Sequence, residues 1–373
     1  MTEETHAINL SKPISTFATN RIGYIDIAKG LGIVLVVMGH NDFALISPLA
    51  HKLIYSFHMP MFFFISGMFF NPGMPFWTFI CRRFNRVLRP FFFTLLLIYF
   101  MSLSFSKVGI LVATRRLLKA LYGNGHYIDW VQLWFLPHLF VVSLFAYVFI
   151  RLIRQSRLDS LRWIILAVIY IVGVLGLAFF WPFDFSLFGK GYTVYGLPFS
   201  LDIVFVSGFF FILGFEINKK LSATFFESGW LLLLSAISLI VLVGYYPATI
   251  DLNTRVFDSL IINTGEALLG ILFILAVAKK LEKIGGMAAL FKYLGQASLI
   301  ILVFQVPIQD YWGQKIFALT DNLPFSYWMS FLVGVLGPIA IHALFIRPNP
   351  IMRKWFSQSA PKENGQEEVS VFN

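Results

Sequence analysis

The chain has 373 residues, of which 58% are apolar and 18% aromatic while only 13% are charged. Water-soluble domains carry about 25% charged residues, so a single solvated globule is excluded and lipid is the solvent for most of this chain. The net charge of +10 would suggest nucleic acid in a soluble protein; here loop placement accounts for it and removes that reading. Cys81 is the single cysteine, so no intramolecular disulfide can form, and with no Cys/His spacing for zinc no metal is expected.

Residues 1–23 form a polar segment that lacks the basic and apolar regions of a signal peptide. Apolar stretches of about 17 to 25 residues, enough to cross ~30 Å of hydrocarbon, then recur. Ten spans are predicted, at 24–44, 53–70, 90–106, 130–150, 163–181, 197–217, 230–246, 259–278, 293–311 and 326–346. With the N-terminus cytoplasmic, 20 of the 29 lysines and arginines fall on inside segments, 8 on outside segments, and Lys29 within a span. The expected fold is therefore an all-α integral membrane bundle of about ten transmembrane helices over 24–346, with both termini cytoplasmic. The tail over 347–373 is polar and reads as disordered. One outside segment dissents: in 107–129, RRLLKALYG reads as an amphipathic helix at the interface or as a re-entrant piece. Pro60 and Pro198 each lead into a Phe-rich run containing Ser-Gly, either a faint internal repeat or ordinary helix packing.

Ionisable groups in hydrocarbon cost about 2.5 kcal/mol or more each, so function is sought where they occur. The first span, YIDIAKGLGIVLVVMGHN, holds Asp26, Lys29, His40 and Asn41. Lys29 and His40 are eleven residues apart, which places them within about 20° of each other on one face and roughly 16 Å apart along the axis. Asp26 and Lys29, three apart, can pair. His40, towards the outer leaflet, can accept a proton near neutral pH; the plainer alternative is that it caps the helix while Lys29 snorkels to the interface. In the second span His58 precedes Pro60, which weakens the helix at membrane depth. His58 should lie near the depth of His40, as a site residue or a satisfied packing histidine. In CRRFNRVLRP, Arg82, Arg86 and Arg89 form one stripe with Arg83 beside it, suited to phosphate oxygens or simply to positive-inside topology. Trp134, Trp181 and Tyr192 could stack on a sugar or anchor in the membrane belt.

These blocks together resemble the acyltransferase-3 family of integral membrane acyltransferases, in particular its fucose 4-O-acetylase-like branch. YIDIAKGLGIVLVVMGH is similar to the family's first helix, SFHMPMFFFISGMFF to its second and RRFNRVLRP to its Arg-x-x-Arg segment. LWFLPHLF (133–140), LPFSLDIVFVSGFFFILG (197–214), ATIDLN (248–253) and LGQASLIILVFQ (294–305) look like later blocks. The resemblance implies transfer of an acyl group, usually acetyl from the co-substrate acetyl-CoA, to a hydroxyl of a carbohydrate or lipid-linked glycan in the bacterial inner membrane. It implies a catalytic His40, acting as a base or carrying the acyl group, and a donor site at Arg83 and Arg86, aided by Arg82 or Arg89. Asp26 and Lys29 would position the donor, and Asn41, His58 and Trp134 are candidates on the acceptor side. Two departures stand out: the first-helix basic residue, commonly Arg, is Lys29, and the ninth-helix block, often ending in His, ends in Gln305. From the residues alone, a proton-coupled transporter or flippase for a lipid-linked sugar or small metabolite is the alternative.

Overall fold

The structure, a computed structural model, describes residues 23–40, 43–104, 109–153, 159–180, 182–246 and 248–356. The polar N-terminal segment before Gly23, the tail from 357, Asn41 and Trp181 lie outside the described residues. In chain order the first helices are α1 (Gly23–Gly39), α2 (Phe43–Ile46), α3 (Pro48–Tyr55), α4 (His58–Met68), α5 (Phe76–Arg83), α6 (Arg89–Ser104), α7 (Ile110–Ala120) and α8 (Phe135–Ile153). They are followed by α9 (Asp159–Phe180), α10 (Val204–Lys220), α11 (Gly229–Tyr245), α12 (Leu260–Leu281), α13 (Gly285–Gln296), α14 (Ser298–Thr320), α15 (Leu323–Ile341) and α16 (Pro350–Phe356). Two small antiparallel hairpins interrupt them, β1 (Phe183–Leu187) with β2 (Lys190–Val194) and β3 (Ile250–Asp251) with β4 (Val256–Phe257). The all-α polytopic membrane fold expected from hydropathy is the fold observed.

Among the described residues, five helical stretches are long and apolar enough to span a bilayer: Phe76–Ser104, Val131–Ile153, Pro198–Lys220, Leu260–Leu281 and Leu323–Ile346. A sixth arises if α13 and α14, bent by 76° at Ala297, count as one. Two of the remaining predicted spans fall on the shorter apolar stretches Leu161–Leu177 of α9 and Gly229–Tyr245. The second predicted span is broken: α3 ends at Tyr55 and α4 starts at His58, which puts Pro60 in a first turn where its missing N–H leaves no helix bond unmade. Rather than weakening a continuous helix, the proline begins a new one. Residues 110–120 of the dissenting outer segment form α7, whose Ile110, Leu111, Val112 and Leu118 are exposed.

Helix α1 is buried on nearly every side, as a helix that is apolar all round must be, and packs against α4, α12, α13, α14 and α15. Two close crossings fix the bundle. A Cβ on Gly30 would strike the Phe291 carbonyl and one on Gly295 the Asp26 carbonyl, so α1 and α13 touch backbone to backbone. Gly67 meets the Phe211 carbonyl and Gly214 the Phe64 carbonyl, which locks α4 to α10 in the same reciprocal way. The two Phe-rich Ser-Gly runs thus pack on each other.

Candidate active site

The N-terminal half of α1 carries Asp26 and Lys29. Asp26 is buried, and the Lys29 ammonium lies 3.5 Å from its carboxylate and 4.3 Å from the centre of the Phe69 ring at the end of α4. That contact holds Lys29 within the bundle. The neighbouring Phe70 faces Arg83, whose guanidinium lies 5.8–5.9 Å from the Phe70, Phe79 and Phe211 rings. Lys29 and Arg83 therefore flank one end of α4. Between Arg83 and Arg89 the backbone winds as a π turn over Phe84–Leu88, a form that often marks functional sites. The widened turn interrupts the expected Arg82–Arg86–Arg89 stripe: Arg83 is half-buried in a phenylalanine box, Arg86 is exposed, and Arg82 reaches the Met74 sulfur at 3.4 Å. Arg86 lies within electrostatic reach of both Arg82 and Arg83, an assembly of like charges that suits an anion.

The C-terminal end of α1 stops inside the protein, so its last carbonyls need partners. Each finds one from a different element. The Val36 carbonyl accepts from His40 Nδ1 at 2.7 Å, Val37 from Gln309 Nε2 at 2.9 Å and Met38 from the Tyr327 hydroxyl at 2.7 Å. His40 thus does cap the helix, but with one nitrogen only. A carbonyl can only accept, so Nδ1 carries the hydrogen and, in the neutral ring, Nε2 holds a free lone pair. His58 repeats the arrangement at the end of α3, with Nδ1 3.0 Å from the Ile54 carbonyl.

These rings share one patch. His51 stacks on Tyr55 at 4.1 Å, Tyr55 meets the His58 ring edge-on at 4.8 Å, and Gly39, next to His40, lies against the Tyr55 ring. His58 lies within electrostatic reach of His40 and His51, and Asp251 on β3 within reach of His40, His51 and Tyr55. The loop bearing Asp251 is clamped in place. Arg255, in a left-handed backbone conformation, grips both oxygens of the buried Asp202 at 2.9 and 3.2 Å and also donates to the Asn253 carbonyl. Asp251 itself accepts from the Asn253 and Thr254 amides at 2.9 and 3.2 Å.

Trp134 is buried, 5% exposed, with its ring 5.5 Å from that of His138, so it is no belt anchor. Tyr192, in contrast, lies on the exposed β2, stacked on Phe185. The strip of α1 between Lys29 and His40 consists of Ile33 and Val36, both buried in a cluster with Leu294 and Ile301.

A family model for the acyltransferase domain of the acyltransferase-3 type matches residues 22–347, which includes every element from α1 to α15. The chain belongs to that family. Neither curated proteins nor solved structures give a match. Membership makes the protein a membrane acyltransferase.

Several polar groups are buried in this acyltransferase, and of these the reading of its sequence names only Gln305. Glu266, fully buried on α12, accepts from Asn263 Nδ2 at 3.2 Å through one oxygen, while its other oxygen has no partner among the described residues. Glu216 on α10 lies 3.3 Å from Arg162. Gln305 on α14 is fully buried, and neither amide atom has a partner among the described residues. It lies one turn from Gln309, on the side of α14 that meets α1. Gln132 donates at 2.9 Å to the Val303 carbonyl, the group that Pro307 leaves without its helix bond. The carboxylates had a usable signal, an ionisable residue inside a predicted span. Asp251 lies in the ATIDLN block, but its place within electrostatic reach of His40 arises only from tertiary packing.

Proposed function

We propose that the acyltransferase moves an acetyl group from acetyl-CoA to a hydroxyl of a cell-surface or lipid-linked carbohydrate, in the cytoplasmic membrane with both chain termini inside. In this reading Arg83 and Arg86 hold the phosphates of coenzyme A, and Arg82 and Arg89 add positive charge at the same mouth. Lys29, paired with Asp26 and resting against Phe69, positions the donor at the N-terminal end of α1. At the outer end His40 acts as general base. Its Nε2 takes the proton of the acceptor hydroxyl as that oxygen bonds to the thioester carbonyl carbon. The carbon–sulfur bond then breaks, and the departing thiolate takes the proton back from the imidazolium, leaving an O-ester and free coenzyme A. While the ring is charged it faces the negative end of the α1 dipole and the field of Asp251, both of which favour the cation.

The observation that carries this reading is the tautomer that helix capping imposes on His40, which presents a basic nitrogen beside a cluster of polar rings. Family membership favours transfer over the transporter alternative, which predicts no thioester consumption. His40→Asn tests the proposal: the amide can still donate to the Val36 carbonyl but cannot accept a proton. In purified protein given acetyl-CoA and candidate glycans, thiol release should fall by about 10²-fold or more with thermal stability unchanged. Near-normal release would refute the role of His40.

A further inference from the structure

The basic residues of α7 run against the topology that the rest of the chain obeys. Arg115, Arg116 and Lys119 lie on one eleven-residue helix that contains no acidic residue. Helix α6 separates them from the arginine mouth: it runs 16 residues, about 24 Å, from Arg89 to Ser104. At the far end of α6, a cavity of about 280 Å³ is lined by Arg116, Lys119, His126, Tyr127, Ile128 and Asp129. A second, narrower cleft shares Arg116 and Asp129 with it and continues between α6 and α7 over Leu95, Ile98 and Leu117. The cleft holds only about 20 Å³, so the polar chamber is the part with room for a ligand and the α6–α7 seam beside it is closed.

The charge balance suits an anion. Arg116 lies 3.9 Å from Asp129, both about half exposed, a loose pair that steers the guanidinium into the chamber and contributes little by itself. Lys119 has no ionic partner among the described residues, and the Tyr127 hydroxyl and His126 ring add hydrogen-bonding capacity. On the other side of α7 the exposed Ile110, Leu111 and Leu118 face the hydrocarbon that would deliver such a ligand. The chamber also adjoins the chemistry. His126 stacks on Tyr195 at 3.6 Å, and Gly125 abuts Asn253, two residues from Asp251 in the clamped loop.

We propose that this chamber binds a lipid phosphate, the phosphate in contact with Arg116 and Lys119 and the chain lying along the exposed apolar residues of α7, and that this lipid is the anchor of the glycan acceptor. The anchoring role rests on the acyl-transfer reading above; the binding does not.

The test uses the full chain in phosphatidylcholine nanodiscs, with farnesyl phosphate as probe and farnesol and inorganic phosphate as controls, read by native mass spectrometry without acyl donor. Farnesyl phosphate should bind at least tenfold more tightly than either control. Lys119→Glu, a surface change that breaks no ion pair, and Arg116→Gln should each weaken it at least tenfold with unfolding temperature unchanged. His40→Asn should bind normally. Equal binding of farnesol, or undiminished binding by both α7 variants, would overturn the site. Phosphatidylglycerol competing as tightly as farnesyl phosphate would overturn the acceptor-anchor assignment and leave a general lipid site. In transfer assays Lys119→Glu should raise KM for a lipid-linked acceptor and leave KM for acetyl-CoA unchanged. Tight binding by a protein that never consumes acetyl-CoA would sink the transfer reading alone.

Discussion

Gln305 is the residue whose burial most needs a reason. An amide with both ends unpaired in the interior costs about 1–3 kcal/mol, and leucine of similar volume would remove that penalty. Gln305→Leu should therefore melt at a higher temperature in detergent than the parent. If the amide serves a passing thioester or the acceptor, the same variant should lose at least tenfold in transfer; higher stability with undiminished turnover would show that it serves neither. Asp26, Lys29 and His40 were legible in the sequence because a charge in an apolar run is conspicuous at any depth. Gln305 was visible only as a neutral end to a helix block, and Asp251 lies in a two-residue strand whose relation to His40 depends on a clamp built from Asp202 and Arg255. No spacing rule connects positions that far apart in the chain.

At the level of elements, hydropathy located the helices and missed their breaks. The interruption at Ser56–Phe57, the 76° bend at Ala297 and the π turn at Phe84–Leu88 all lie inside apolar or basic runs whose composition does not change across them. Pro60 marked the first without fixing its place, since a proline is equally at home in a first turn and, as at Pro307, within a helix whose freed carbonyl finds another donor. The π turn is testable in itself. Deleting Asn85 should restore an α register, removing the widened turn between Arg83 and Arg89 and bringing Arg86 one residue closer to Arg83. KM for acetyl-CoA should rise at least tenfold while the helix content measured by circular dichroism stays unchanged. An unaltered KM would mean that the widened turn does not matter for the donor.

For the whole molecule, the proposed chemistry requires that the arginine mouth and the histidine patch open on opposite sides of the membrane. In a Cys81→Ser background, which removes the exposed native thiol, cysteine placed at Lys190 in the β1–β2 turn should react with an impermeant maleimide in intact cells. Cysteine at Lys283, beside Glu227 beyond α12, should react only after permeabilisation. The inverse pattern would reverse the topology and place the donor site outside.

The reciprocal contact of Gly30 with Gly295 and the three capped carbonyls at Val36, Val37 and Met38 secure α1 on either side of its middle. A rod fastened at both places keeps a constant length between Lys29 and His40, so it works as a gauge. Thioesters that carry the acetyl group on a stub too short for that gauge would forfeit more than the grip of the arginines, because no flexing of the rod can make up the missing reach.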